Sequence, residues 1–114
     1  MINRFSGLTP TRSRAVVHDG LVFTVAVSPD GDATFYEQTV KTLRRIDESL
    51  AMSGSDKSRV LSATVYIADI TRKEEMNKAW DEWVDRANPP MRACLGVDLE
   101  PPHLVEIVVT AAQK

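Results

Sequence analysis

The stretch from Leu104 to Ala112 constrains this chain more than any other. It reads Leu-Val-Glu-Ile-Val-Val-Thr-Ala-Ala, and Glu106 is its one charge. A strand with one wet face alternates apolar and polar side chains. A run this continuously apolar predicts a strand covered on both faces of its sheet. Both covers must then be found. A chain of 114 residues predicts one domain over residues 1–114 with a modest core. Two amphipathic helices are legible in it, enough for one face of a sheet. A second copy of the chain is the expected cover of the other.

The remaining elements follow from periodicity and turn signals. Ala15–His18 and Leu21–Val27 read as two strands, with Asp19-Gly20 between them as the preferred pair of a two-residue hairpin turn. A helix is predicted from Ala33 to Met52, capped by Asp32, with Tyr36, Val40, Leu43, Ile46 and Leu50 on its apolar face and Gly54 just beyond its end. Val60–Ala68 reads as a strand with Leu61, Ala63, Val65 and Ile67 on one face. Thr71 and Glu74 have the spacing of a capping box. They predict a second helix whose inner side carries Met76, Ala79, Trp80, Trp83 and Val84, ended by Asn88-Pro89-Pro90. Met91–Leu99 then reads as a strand with Ala93, Leu95 and Val97 alternating, followed by a turn at Glu100-Pro101-Pro102. The order β-β-α-β-α-β-β predicts an α+β fold, a mixed sheet with two helices on one face.

Charge and composition exclude several functions. The formal net charge is −2, and the basic residues are scattered. Arg44-Arg45 and Arg12/Arg14 form local clusters and read as solvated surface. A nucleic-acid binder would carry a basic stripe, so no nucleic acid is expected as a partner. His18 and His103 stand far apart with a single cysteine, Cys94, so neither a metal site nor an intrachain disulfide is expected. Met1–Phe5 has no apolar signal region and no run approaches the length of a membrane span. The expected location is cytoplasmic, with no membrane partner.

Four residues are candidates for chemistry. Glu106 is a carboxylate inside an apolar strand. Such a group must be paired, hydrogen-bonded or protonated if buried, which suits a general acid or base; an edge position or a structural salt bridge is the plain alternative. Arg92 opens a strand after Pro89-Pro90-Met91, where a guanidinium can hold a carboxylate through two hydrogen bonds; an ordinary exposed arginine is the commoner outcome. Cys94 shares a strand face with Arg92 and suits packing better than nucleophilic attack, since no activating base stands at a recognisable spacing. Asn77 lies beside the apolar stripe of the second helix and can hydrogen-bond a ligand or simply face water.

These pieces together resemble the RidA/YjgF/YER057c/UK114 family. The resemblance is carried by Asn77-Lys78-Ala79-Trp80-Asp81-Glu82-Trp83, Pro89-Pro90-Met91-Arg92-Ala93-Cys94 and Val105-Glu106-Ile107-Val108, with Glu37-Gln38-Thr39-Val40 through Asp47 in the first helix. Met76-Asn77-Lys78-Ala79-Trp80-Asp81 is similar to the YoaB-like branch. The resemblance implies a chorismate-mutase-like fold assembled as a homotrimer, with clefts between subunits. It implies a deaminase of the 2-iminobutanoate/2-iminopropanoate type, which hydrolyses 2-imino or 2-enamino acids to 2-oxo acids and ammonia without a cofactor. In that scheme Arg92 binds the substrate carboxylate, Glu106 handles the attacking water, and Cys94 and Asn77 line the site. Two departures stand out. Deaminating members carry a tyrosine near the first strand and a serine-glycine pair late in the second. Here Arg12-Ser13-Arg14 and Val25-Ala26 stand in those regions. A non-catalytic trimer that binds small carboxylates is the alternative these departures favour.

Overall fold

The computed structural model describes residues 1–31 and 33–114. The elements are β1 (Ile2–Ser6), β2 (Ser13–His18), β3 (Leu21–Val27), α1 (Phe35–Met52), β4 (Val60–Ile67), α2 (Lys73–Trp83), β5 (Met91–Gly96) and β6 (Val105–Ala112). The strands form one six-stranded sheet in the order β1-β2-β3-β6-β4-β5. Every pairing is antiparallel except β4 with β5. That parallel pair requires a crossover, and α2 supplies it.

The expected mixed sheet with two helices is present, with an additional strand at its N-terminal edge. β1 pairs along β2 from Ile2↔His18 onward. Its residues are mostly exposed, so it shows no alternation of apolar and polar side chains. Backbone pairing at the edge holds it rather than burial. The β2–β3 hairpin turns where expected: Asp19 and Gly20 both adopt positive φ, 50° and 78°, as a type I′ turn demands.

One face of the sheet is covered. Alternate residues of β6 (Val105, Ile107, Val109 and Ala111) are fully buried against Leu43, Ile46 and Leu50 of α1 and Met76, Ala79 and Trp80 of α2. Each of the valine, leucine, isoleucine and methionine side chains among them contributes about 1.5–3 kcal/mol of burial. Tyr36 and Val40 are only partly buried at the margin of this core. The other face of β6, for which a second copy is the expected cover, is open within one chain. Val108 is 40% exposed, beside Val25 at 42% and Phe23 at 43%. The second face lacks a cover because both helices pack on the first.

Several boundaries move for local reasons. α1 begins at Phe35, where Thr34 Oγ1 accepts from the Glu37 N–H, at 3.2 Å; the cap expected at Asp32 lies outside the described residues. α1 ends as expected, with Gly54 at φ 78° receiving the turn out of the helix. Thr71 does not cap α2. Asp69 Oδ1 accepts from the Thr71 N–H at 3.0 Å, forming a 3-10 turn over Ile70–Arg72 before the helix starts. Leu61 points outward, because the register against β6 slips between Val60 and Ser62. In β5 the expected alternation is reversed: Ala93 and Leu95 are exposed, whereas Arg92 and Cys94 face the helices. No described helix is long and apolar enough to cross a membrane.

Where α1 meets α2, Trp83 Nε1 donates to Asp47 Oδ1 at 2.9 Å. Burial pushes the Asp47 carboxyl above its usual pKa, against the opposing pull of the Trp83 hydrogen bond and Lys57. The folded chain thus holds this proton more tightly than the unfolded one. The group's contribution therefore falls as pH rises from the ordinary carboxylate pKa through the raised one. Asp47→Asn keeps the acceptor oxygen and removes the buried charge. It should raise the urea midpoint modestly at neutral pH, with the gain vanishing below about pH 3, under both values. Urea denaturation across pH checks this, and a midpoint gain independent of pH would contradict it.

Candidate functional site

Arg92 sits in the second position of β5, the strand that forms one edge of the sheet. Pro89-Pro90 prevent any helical continuation from α2 and deliver the chain to that edge in extended form. The Arg92 side chain lies on the helix-covered face. Its Nη1 donates to Asn77 Oδ1 at 2.9 Å and approaches Met76 Sδ at 3.9 Å. The guanidinium carbon stands 5.2 Å from the centre of the Trp80 ring. Asn77 is itself oriented, with its amide nitrogen donating to Glu74 Oε1 at 3.3 Å.

This arrangement fixes one end of the guanidinium and leaves the other available. Nε and Nη2, the paired donors that match a carboxylate, have no protein partner among the described residues. Cys94 is on the same face and packs against the core margin beside Val65, its partner in β4. The structure therefore puts Arg92 and Cys94 on one sheet face, as their spacing suggests, with Asn77 of α2 hydrogen-bonded to Arg92 above it.

Glu106 is not with them. It pairs with Val27 of β3 and Tyr66 of β4. Tyr66 pairs in turn with Leu95, while Arg92 pairs with Ala63, three residues before Tyr66. Successive side chains of a strand point to opposite faces, so Glu106 emerges on the uncovered face and Arg92 on the covered one. Within one chain the sheet stands between them. Glu106 is half-buried, and its carboxylate has no hydrogen bond or ion pair among the described residues. It is set in an apolar surface that includes Leu95 and Val108.

A cavity of about 610 Å³ opens at the far end of β3. It lies between the β1–β2 loop, the exit of β3, α1 and the turn before β6, and Val25 and Val27 line it together with Arg12, Arg14, Arg45 and His103. The arginine clusters expected as separate solvated surface thus meet around one hollow. Sequence spacing does not bring Arg45 to Arg12, because their meeting depends on how α1 lies against the sheet. β3 and β5 are three strand positions apart in the sheet, roughly 14 Å.

Fold and surface together define a small α+β sheet protein with a half-satisfied arginine at one edge and an apolar sheet face left open around a carboxylate. The sequence comparisons agree with that architecture. The Endoribonuclease L-PSP family model matches residues 5–113. A RutC family protein of Haemophilus ducreyi is 43% identical over 114 residues, covering 98% of this chain and 97% of that protein. The RutC family protein YoaB of Escherichia coli is 40% identical over 101 residues, covering 88% of this chain and 89% of that protein. Among solved structures, a YjgF family protein from Neisseria meningitidis superposes with a TM-score of 0.94 at 41% identity, covering 100% of this chain and 96% of that one. The chain belongs to the RidA/YjgF (RutC) family, and to its YoaB-like branch.

Proposed function

We propose that this protein hydrolyses reactive 2-imino and 2-enamino acids to 2-oxo acids and ammonia, without a cofactor, in clefts between the subunits of a homotrimer. One observation carries the reading: Arg92 is clamped through Nη1 by Asn77 while its Nε and Nη2 donors have no partner among the described residues. Such a guanidinium is preorganised for a carboxylate, since its ordering is achieved before the ligand arrives.

The chemistry asks little more of the chain. A protonated imine carbon is already electrophilic. Water adds to it, giving a tetrahedral carbinolamine; the nitrogen takes a proton and leaves as ammonia while the carbon–oxygen double bond forms. Arg92 orients the acid. Glu106 accepts a proton from the attacking water and returns one to the departing nitrogen. Because Glu106 and Arg92 occupy opposite faces of one sheet, this scheme requires Arg92 of one copy to meet Glu106 of another. The open apolar face around Glu106 supports such an assembly. Cys94 borders the site as a small packing residue.

Ammonia release from freshly generated 2-iminobutanoate and 2-iminopropanoate tests the proposal. Wild-type protein should accelerate release over buffer, whereas protein no faster than buffer would refute catalysis. A second reading has one specific observation behind it. Val25 lines the cavity and offers no hydrogen-bond donor where deaminating members carry serine. On that reading the trimer binds small carboxylates without turning them over. Calorimetric binding of 2-oxo acids with no ammonia release would select it.

A further inference from the structure

The cavity at the end of β3 has an unusual electrostatic lining. Three arginines, Arg12, Arg14 and Arg45, border it with His103, and among the described residues no aspartate or glutamate does. Arg14 is partly committed: its Nε donates to Ser49 Oγ at 2.8 Å and its Nη2 pairs with Glu48 at 3.2 Å. Arg12 and Arg45 have no ion pair or side-chain hydrogen bond among the described residues, although Arg45 is half-buried. His103 Nδ1 is buried and has no hydrogen-bond partner among the described residues. A buried polar nitrogen without a partner is costly, and so is a half-buried cation without an acid. A hollow that gathers both concentrates positive potential against low-dielectric walls. An anion seated there would give Arg12 and Arg45 the acceptor they lack.

We infer that this cavity receives a second anionic group of the ligand, so that the preferred substrates are 2-imino acids, and the preferred products 2-oxo acids, that carry a second carboxylate. The inference rests on the proposed carboxylate-binding cleft. Arg92 of one copy takes the carboxylate next to the reacting carbon. Arg12 and Arg45 of the adjoining copy take the distal one. Glu106 is placed between these two tasks, since its β3 partner is Val27, a residue of the cavity wall. Val25 and Val27 give the wall an apolar surface suited to the methylene groups that separate two carboxylates.

Calorimetry on the full chain, with 2-oxoglutarate and 2-oxobutanoate as probes, tests the inference. Wild type should bind the dicarboxylate roughly tenfold more tightly or better, the factor that added charge-assisted hydrogen bonds supply. Arg12→Gln and Arg45→Gln should each shrink that ratio, and the double variant should bring it close to one. Arg45→Lys should retain more of the preference than Arg45→Gln. Arg92→Gln should weaken both acids together and leave their ratio in place. Equal affinities in wild type, or a ratio unmoved in the double variant with its circular dichroism intact, would overturn the inference and leave the cleft standing. Failure of both acids to bind would overturn the cleft, and this inference with it.

Discussion

Arg92→Ala should slow ammonia release from 2-imino acids by about a hundredfold or more, the penalty of losing the group that orients the reacting centre. The loss should appear in both kcat and kcat/KM, because the anchor holds the imine carbon in an attacking geometry that is fully realised only in the activated complex. Arg92→Lys separates charge from geometry. Lysine keeps the positive charge but lacks the planar fork, the Nη1 contact to Asn77 and the stacking over Trp80. It should recover only part of the rate. Truncation at Arg92 also removes packing against Met76 and Trp80, so thermal unfolding of each variant must accompany the kinetics. A variant that folds like wild type and turns over like wild type would remove Arg92 from the mechanism.

The second large effect concerns assembly. Val108→Asp should convert a trimer into folded monomers. Val108 is 40% exposed in the single chain and pairs with Val25 and Thr64 near the middle of the uncovered face. An aspartate at an exposed strand position of a monomer costs little, within about 0.5 kcal/mol. Buried unpaired between subunits, the same charge costs several kcal/mol, roughly 3–5 by analogy with broken buried ion pairs. Light scattering reads the difference directly. Wild type is expected at three times the 12.7 kDa chain mass and the variant at one, with unchanged far-ultraviolet circular dichroism. A wild-type protein already at the single-chain mass would end the intersubunit scheme.

Elements with strong local signals are legible in the sequence. The Asp19-Gly20 turn, the inner faces of both helices and the Pro89-Pro90 stop are each dictated within a few residues. β1 is not, because an exposed edge strand held by backbone hydrogen bonds leaves no hydrophobic period to read. The outward turn of Leu61 was hidden for a related reason: a single slip of register against β6 reverses a residue's face without changing the sequence pattern. The reversal of β5 is more instructive. Its apolar residues point to the open side, so binary patterning reported the cover that a neighbour would provide and not the one that α2 does provide.

The same division runs through the site. Arg92, Asn77 and Cys94 were found together because their spacing along β5 and the family motif on α2 agree. In the sequence the cavity arginines read as solvated surface, since Arg12 and Arg45 meet only through tertiary packing. His103 gave no local sign of its buried nitrogen. What spacing could not convey was that Glu106 and Arg92 face away from each other, because their relative side depends on registers in three different strands.

That separation has a consequence for how the protein is dosed. On the proposed scheme the unit of catalysis is a junction between chains, so a diluted preparation falls silent while every molecule stays folded. The same logic lets defects cancel. A chain crippled at Arg92 and another crippled at Glu106 would be inert apart, yet in a mixed trimer they would compose some intact junctions from their two good halves.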